Sequence, residues 1–147
     1  MKETNSIVVP VDFLETSDKL IEYAVYMAGK LSAVTHFIHV VHFYESNAML
    51  GLPYAQECED RLLANAEERM ANLVADNSER STGCTGEVVI GDPVDEITAF
   101  AKAKNSDLII ISTHGAKGLE KILLGSVTKR VLKRAHCPVL VMKPFKK

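Results

Sequence analysis

The sequence contains no uninterrupted apolar run near the roughly 18–20 residues that a bilayer-spanning helix needs. It opens MKETNSIVVPVD, without the apolar core of a secretory leader. Its three cysteines, Cys58, Cys84 and Cys137, are odd in number, widely spaced and form no CxxC pair, which argues for reduced thiols rather than a disulfide framework. Little charge of one sign accumulates: 17 Lys and Arg face 19 Asp and Glu, a formal net charge of −2, so no general basic field suggests nucleic acid. These absences together predict a soluble cytoplasmic protein. No internal repeat, low-complexity tract or second domain is evident, and 1–147 reads as one domain. At 147 residues, 47% of them hydrophobic, the chain is long enough to build a core without metals or disulfides.

Five short apolar runs stand out: residues 6–11, 34–41, 87–90, 107–112 and 138–142. Their length and β-branched content predict strands. The first, fourth and fifth are nearly continuous in Val, Ile and Leu, as in strands buried on both faces of a parallel sheet. Helical patterns fill the gaps. Leu20, Ala24, Met27, Ala28 and Leu31 make one stripe, with Thr16 or Ser17 as its cap. Leu62, Ala66, Met70, Leu73 and Val74 make another. Asp92 and Pro93 read as the cap and first residue of a third helix, with Val94, Ile97 and Ala101 inward. A fourth starts near Gly125 and Ser126, with Val127, Val131 and Ala135 on its buried side. Alternation of this kind predicts an α/β fold: a single doubly wound five-stranded parallel sheet with helices on both faces. The stretch 43–56 reads as the most mobile loop.

Such folds bind ligands beyond the carboxyl ends of their strands. That rule selects Pro10 and Asp12, Val40 and Val41, Gly91 and Asp92, then Ser112, Gly115, Gly118, Gly125 and Ser126. Glycines and a helix N-terminus suit a phosphate, and Ser126 adds a hydroxyl; a purely structural loop has the same composition. Asp12 could accept from a ribose hydroxyl or hold a divalent metal that bridges to phosphates. There is no GxxxxGK[ST] and no GxGxxG after the first strand, which argues against the P-loop and the usual dinucleotide site.

Several segments resemble the universal stress protein family. They are IVVPVDFLETSDKLIEYA (7–24), IHVV (38–41), IGDPVDEI (90–97) and, most specifically, DLIIISTHGAKGLEKILLGSVTKRVLKRAHCPVLVMKP (107–144). The family's ATP-binding members carry Gly, two residues, Gly, nine residues, then Gly with Ser or Thr. Gly115, Gly125 and Ser126 keep that spacing, and Ser112 stands at the first glycine. The resemblance implies a Rossmann-like fold of the adenine nucleotide alpha hydrolase type and an ATP site. It places Asp12 near ribose and phosphates, with Pro10 in the same cofactor-binding set, the Val40 backbone at adenine, and Ile111 and Ser112 along the ribose and α-phosphate. Gly115, Gly125, Ser126, Val127 and Thr128 would hold phosphates, with Mg or Mn arriving with ATP. It also implies a homodimer paired through Val139, Leu140, Val141 and Met142. The function expected on this basis is a stress-response or regulatory protein acting as a nucleotide-dependent switch. A slow ATPase or phosphotransferase aided by Lys117 and Lys121, and a nucleotide-free module with a lost site, are the alternatives. No catalytic residue is assigned.

Other residues have plainer readings. His36 and His42 share one strand face and His39 the other, so they do not converge on a metal. His114 sits in the glycine loop without a visible carboxylate partner. Lys129, Arg130, Lys133 and Arg134 read as a solvated helix face.

Overall fold

The computed structural model describes residues 3–14, 17–42, 55–113 and 124–143. Among the described residues nine elements alternate: β1 (Ser6–Pro10), α1 (Ser17–Leu31), β2 (Val34–Val41), α2 (Ala55–Asn77), β3 (Cys84–Ile90), α3 (Pro93–Ala103), β4 (Leu108–Ser112), α4 (Ser126–Arg134) and β5 (Val139–Met142). The strands form one five-stranded sheet in the order β3-β2-β1-β4-β5, parallel throughout. This is the predicted architecture. The order runs one way from β1 to β3 and the other from β4 to β5, so the reversal falls between β1 and β4.

Successive side chains of β1 show why the sheet needs cover on both faces. Ile7 and Val9 join a core with α1 and α2 that includes Leu20, Ala24, Phe37 and Leu73. Val8 faces the opposite way and joins Val94, Ile97, Ala101, Ile111 and Val131 under α3 and α4. All three β1 residues are fully buried. The period-2 alternation of a strand thus serves two cores at once.

The helices depart from their predicted stripes in an instructive way. In α1, Ile21 and Val25 are buried with Leu20, Ala24 and Ala28, whereas Leu31 at the helix end is exposed. In α2, Ala66, Met70 and Leu73 pack inward, but Leu62 is 53% exposed. Helical periodicity marks a face; how far that face is covered depends on the sheet beneath it. In α3 the expectation holds in detail: the Asp92 side chain accepts from the Asp95 N–H at 3.0 Å, and Pro93 opens the helix. In α4, Val131 is buried together with Thr128.

β3 begins at Cys84, three residues before the predicted start. Thr85 and Glu87 point to solvent from this edge strand. Gly86, between them, faces α2: a Cβ there would lie 2.4 Å from Met70 Sδ and 2.8 Å from Val74 Cγ2. The glycine lets α2 lie close against the edge strand, and it also removes the apolar signal that would have announced the strand.

Candidate functional site

The carboxyl ends of β1, β2 and β4 and the starts of α1, α3 and α4 enclose a cavity of about 410 Å³. That volume lies within the range of small-molecule sites. Pro10, Asp12, Val40, Ile111, Ser112, Gly125, Ser126, Val127 and Thr128 all line it. Gly115, His114, Gly118, Lys117 and Lys121 lie outside the described residues. One wall is apolar, built by Ile38, Val40, Pro93, Ile97, Ile111 and Val127. Such a wall suits a flat, weakly polar group. Asp12 and the start of α4 supply the polar part.

Asp12 is exposed just past β1. Its Oδ1 accepts from the Leu14 N–H at 2.9 Å and from the Ser17 hydroxyl at 2.6 Å. Ser17, expected as a cap of its own helix, instead ties α1 to this carboxylate. Both bonds fall on Oδ1, which fixes the direction in which Oδ2 is presented. The next residue, Phe13, has φ 60. That left-handed conformation is uncommon for a bulky side chain, and it turns the chain sharply after Asp12.

The start of α4 is strapped to the end of β4. The Gly125 N–H donates to the Thr113 carbonyl at 2.8 Å, and the Thr128 hydroxyl donates to the Ser112 carbonyl at 2.8 Å. The Thr128 hydroxyl is therefore committed to the strand, while Val127 contributes to the apolar wall. Its first helical bond runs from Lys129 N to Gly125 O at 3.0 Å. The N–H groups of Ser126, Val127 and Thr128 precede that bond and have no partner within the helix. Together with the helix dipole they make the cavity's positive end.

Residues 3–143 match the model of the universal stress protein family. The chain belongs to the universal stress protein family. Universal stress protein MJ0531 of Methanocaldococcus jannaschii is 37% identical over 144 residues, which covers 96% of this chain and 83% of that protein. Among solved structures, that of MJ0577, another universal stress protein of Methanocaldococcus jannaschii, superposes with a TM-score of 0.85 at 27% identity, covering 99% of this chain and 100% of the other. More distant, at 19% identity and a TM-score of 0.69, the universal stress protein from Archaeoglobus fulgidus in complex with dAMP shares the fold over 95% of this chain and 98% of its own.

Within this universal stress protein fold, His39 is a polar cavity residue that strand-end reasoning passed over, as it did Thr113. It lines the cavity, its Nδ1 lies 2.7 Å from the Val11 carbonyl, and its ring packs against Phe13 with centroids 4.8 Å apart. His36 points elsewhere, with Nδ1 2.7 Å from the Thr85 hydroxyl. Burial, helped by the charge of Lys104 and opposed by Glu87, lowers the His36 pKa below its ordinary value of 6.5. Among the described residues no group of three or more His, Cys, Asp or Glu could hold a metal ion.

The basic run of α4 is partly answered by α3. Arg134 Nη1 lies 2.6 Å from Asp95 Oδ1. The Asp95 backbone N–H, with help from the charge of Arg130, holds the Asp92 carboxyl below the usual carboxylate value. Cys58, Cys84 and Cys137 are free thiols, and Cys58 is exposed. β5 occupies one edge of the sheet, paired with β4 on its inner side and half-buried along its length. Among the described residues no helix is long and apolar enough to cross a membrane.

Proposed function

We propose that this cleft binds ATP and that the protein acts as a homodimeric, nucleotide-dependent switch in the cytoplasm. The observation that carries the reading is that Asp12 and the start of α4 line one cavity together with an apolar wall. The slot between Pro93, Ile97, Ile111 and Val127 takes the adenine, with the Val40 backbone at its edge. Pro10, Ile111 and Ser112 run beside the ribose and α-phosphate. The N–H groups of Ser126, Val127 and Thr128 hold phosphate oxygens, as unpaired amides at a helix start are suited to do. Gly125 admits them closely, and Gly115 belongs to the same phosphate-holding set. Asp12, exposed and with both bonds on one oxygen, fits either a ribose hydroxyl or a Mg or Mn ion carried in with the nucleotide. The Archaeoglobus fulgidus protein in complex with dAMP supports an adenine nucleotide as ligand.

Switching needs a conformational equilibrium that ATP biases through unequal affinity for two states. β5 is the proposed dimer strand, through Val139, Leu140, Val141 and Met142, since an apolar edge is protected when a second copy pairs with it. Residues 1–147 act as one unit in this scheme, and no residue is assigned a catalytic role.

Titration calorimetry with ATP and magnesium tests the reading. The expected result is saturable heat and a rise in melting temperature at millimolar ATP, because even a weak ligand stabilises the form it binds. Neither heat nor a thermal shift would leave a nucleotide-free interaction module. The side chain that Ser112 places on the cavity wall favours that second reading.

A further inference from the structure

β1 and β2 pair residue by residue until Pro10, opposite Ile38. Val11 lies one step beyond, and both of its backbone groups are still held by β2. Its N–H donates to the Ile38 carbonyl at 2.8 Å. Its carbonyl is met by His39 Nδ1 at 2.7 Å. A carbonyl oxygen only accepts, so Nδ1 is the ring nitrogen that carries the proton. A side chain thus supplies the donor where the backbone ladder stops.

The same imidazole touches the turn a second time. It packs against the Phe13 ring at 4.8 Å and 45°. Phe13 is the residue at φ 60, and Arg69 of α2 reaches its carbonyl at 3.4 Å. His39 therefore contacts the residues on either side of Asp12. A left-handed aromatic residue is a costly conformation and persists only where its surroundings over-determine it.

We propose that His39 is a positioning residue for the cleft: it locks Val11 and Phe13 and so fixes the direction in which Asp12 presents its carboxylate. This rests on the ATP reading as far as ligand affinity is concerned, but the locking of the turn stands apart from it. It also requires one tautomer, with the proton on Nδ1 and the lone pair on Nε2 when the ring is neutral.

Three variants of the full chain separate these points. Asn at position 39 places an amide N–H near the Nδ1 position and keeps the donor. Leu keeps the bulk and loses it, and Gln reaches toward the Nε2 position instead. We expect His39→Leu and His39→Gln to weaken Mg-ATP binding by about tenfold or more, and His39→Asn to stay within about threefold of wild type. Long-range ¹H–¹⁵N spectra of labelled wild-type protein above pH 8 should show Nδ1 protonated and Nε2 not. Hydrogen exchange at the Leu14 amide, which donates to Asp12, should quicken in His39→Leu and remain near wild type in His39→Asn. Failure of wild type to bind ATP overturns the functional reading and leaves the spectra and the exchange to judge the positioning role. The opposite tautomer overturns the positioning role, as does Leu14 exchange unchanged in both His39→Leu and His39→Gln. If His39→Leu does not fold, His39→Gln against His39→Asn carries the same comparison.

Discussion

The two ends of the sheet are built from the same kind of connection yet handle their polar groups in opposite ways. At the amino end, Asp107 Oδ2 accepts from the Asn5 and Ser6 N–H groups at 2.9 and 3.2 Å, while the Asp107 N–H donates to the Ser6 carbonyl at 2.8 Å. The Ser6 hydroxyl donates to Lys104 O, and the Thr82 hydroxyl to Ala33 O. Ser32, Gly83 and Asn105 take positive φ where the chain turns back into the sheet. These polar groups are satisfied within the chain; the buried Thr35 hydroxyl, near the start of β2, is an exception and has no hydrogen-bond partner among the described residues. At the carboxyl end, Asp12 and the α4 amides border a cavity instead. A fold of this kind can seal one rim for stability and leave the other as a receptor, because each rim is made from different loops.

Gly125→Val tests the open rim most severely. Gly125 has φ −60 and ψ 155, a conformation valine adopts readily, so the fold should survive. The added branch would stand where phosphates approach, and ATP affinity should fall by about 100-fold or more, equivalent to ~2.7 kcal/mol. Calorimetry gives the affinity and a thermal melt gives the stability. Retained binding would mean that the phosphates lie elsewhere.

Asp107→Ala is the converse test at the sealed rim. Two bonds from backbone donors to a half-buried carboxylate are lost, and stability should fall by about 1–2 kcal/mol after allowance for exposure. ATP affinity should not change. A loss of affinity of similar size would show that the two ends are coupled and blur the contrast between them.

The smallest effect concerns pH. His36 lies near the amino end of β2, and its pKa in the folded protein is lowered, chiefly by burial. A group more acidic when folded makes the unfolded chain the stronger proton binder. Its contribution is therefore present above the ordinary value of 6.5 and is lost as pH falls through the lower folded value. Melting temperatures between pH 8 and 5 should decline on the acid side, and His36→Gln should flatten that decline. An identical slope in both proteins would assign the acid sensitivity to other groups.

The parts of this fold that were legible in the sequence are those whose cause is local or uniform. β1 and β4 are apolar at nearly every position because both faces are covered, and α3 announces its start through Asp92 and Pro93. The beginning of β3 was not legible, since its outward residues are polar and Gly86 is defined by the room that Met70 and Val74 take up. The exposure of Leu62 was equally hidden, because helical spacing carries no information about the extent of the neighbouring sheet. At the cleft, Asp12, Gly125 and Ser126 follow from the strand-end rule. His39 does not: its importance comes from the carbonyl of a residue 28 positions away. The bond of the Thr128 hydroxyl to the Ser112 carbonyl, which straps α4 to β4, was not legible either, because its partner lies 16 positions away.

The position of β1 in the middle of the sheet has a consequence for synthesis. Ile7 pairs with Leu108 on one side and Thr35 on the other. The second pairing soon becomes possible on the ribosome, whereas the first must wait for about a hundred further residues, or ~5–20 s at typical rates of translation. Through that interval one side of a highly apolar strand has no permanent neighbour, and the nascent chain is open to mispairing or capture by a chaperone. The cleft is completed only with the arrival of β4 and α4. A ligand that needs the whole cleft, as the proposed nucleotide would, can therefore stabilise only the finished molecule and gives no protection during the stretch of its birth when protection is most needed.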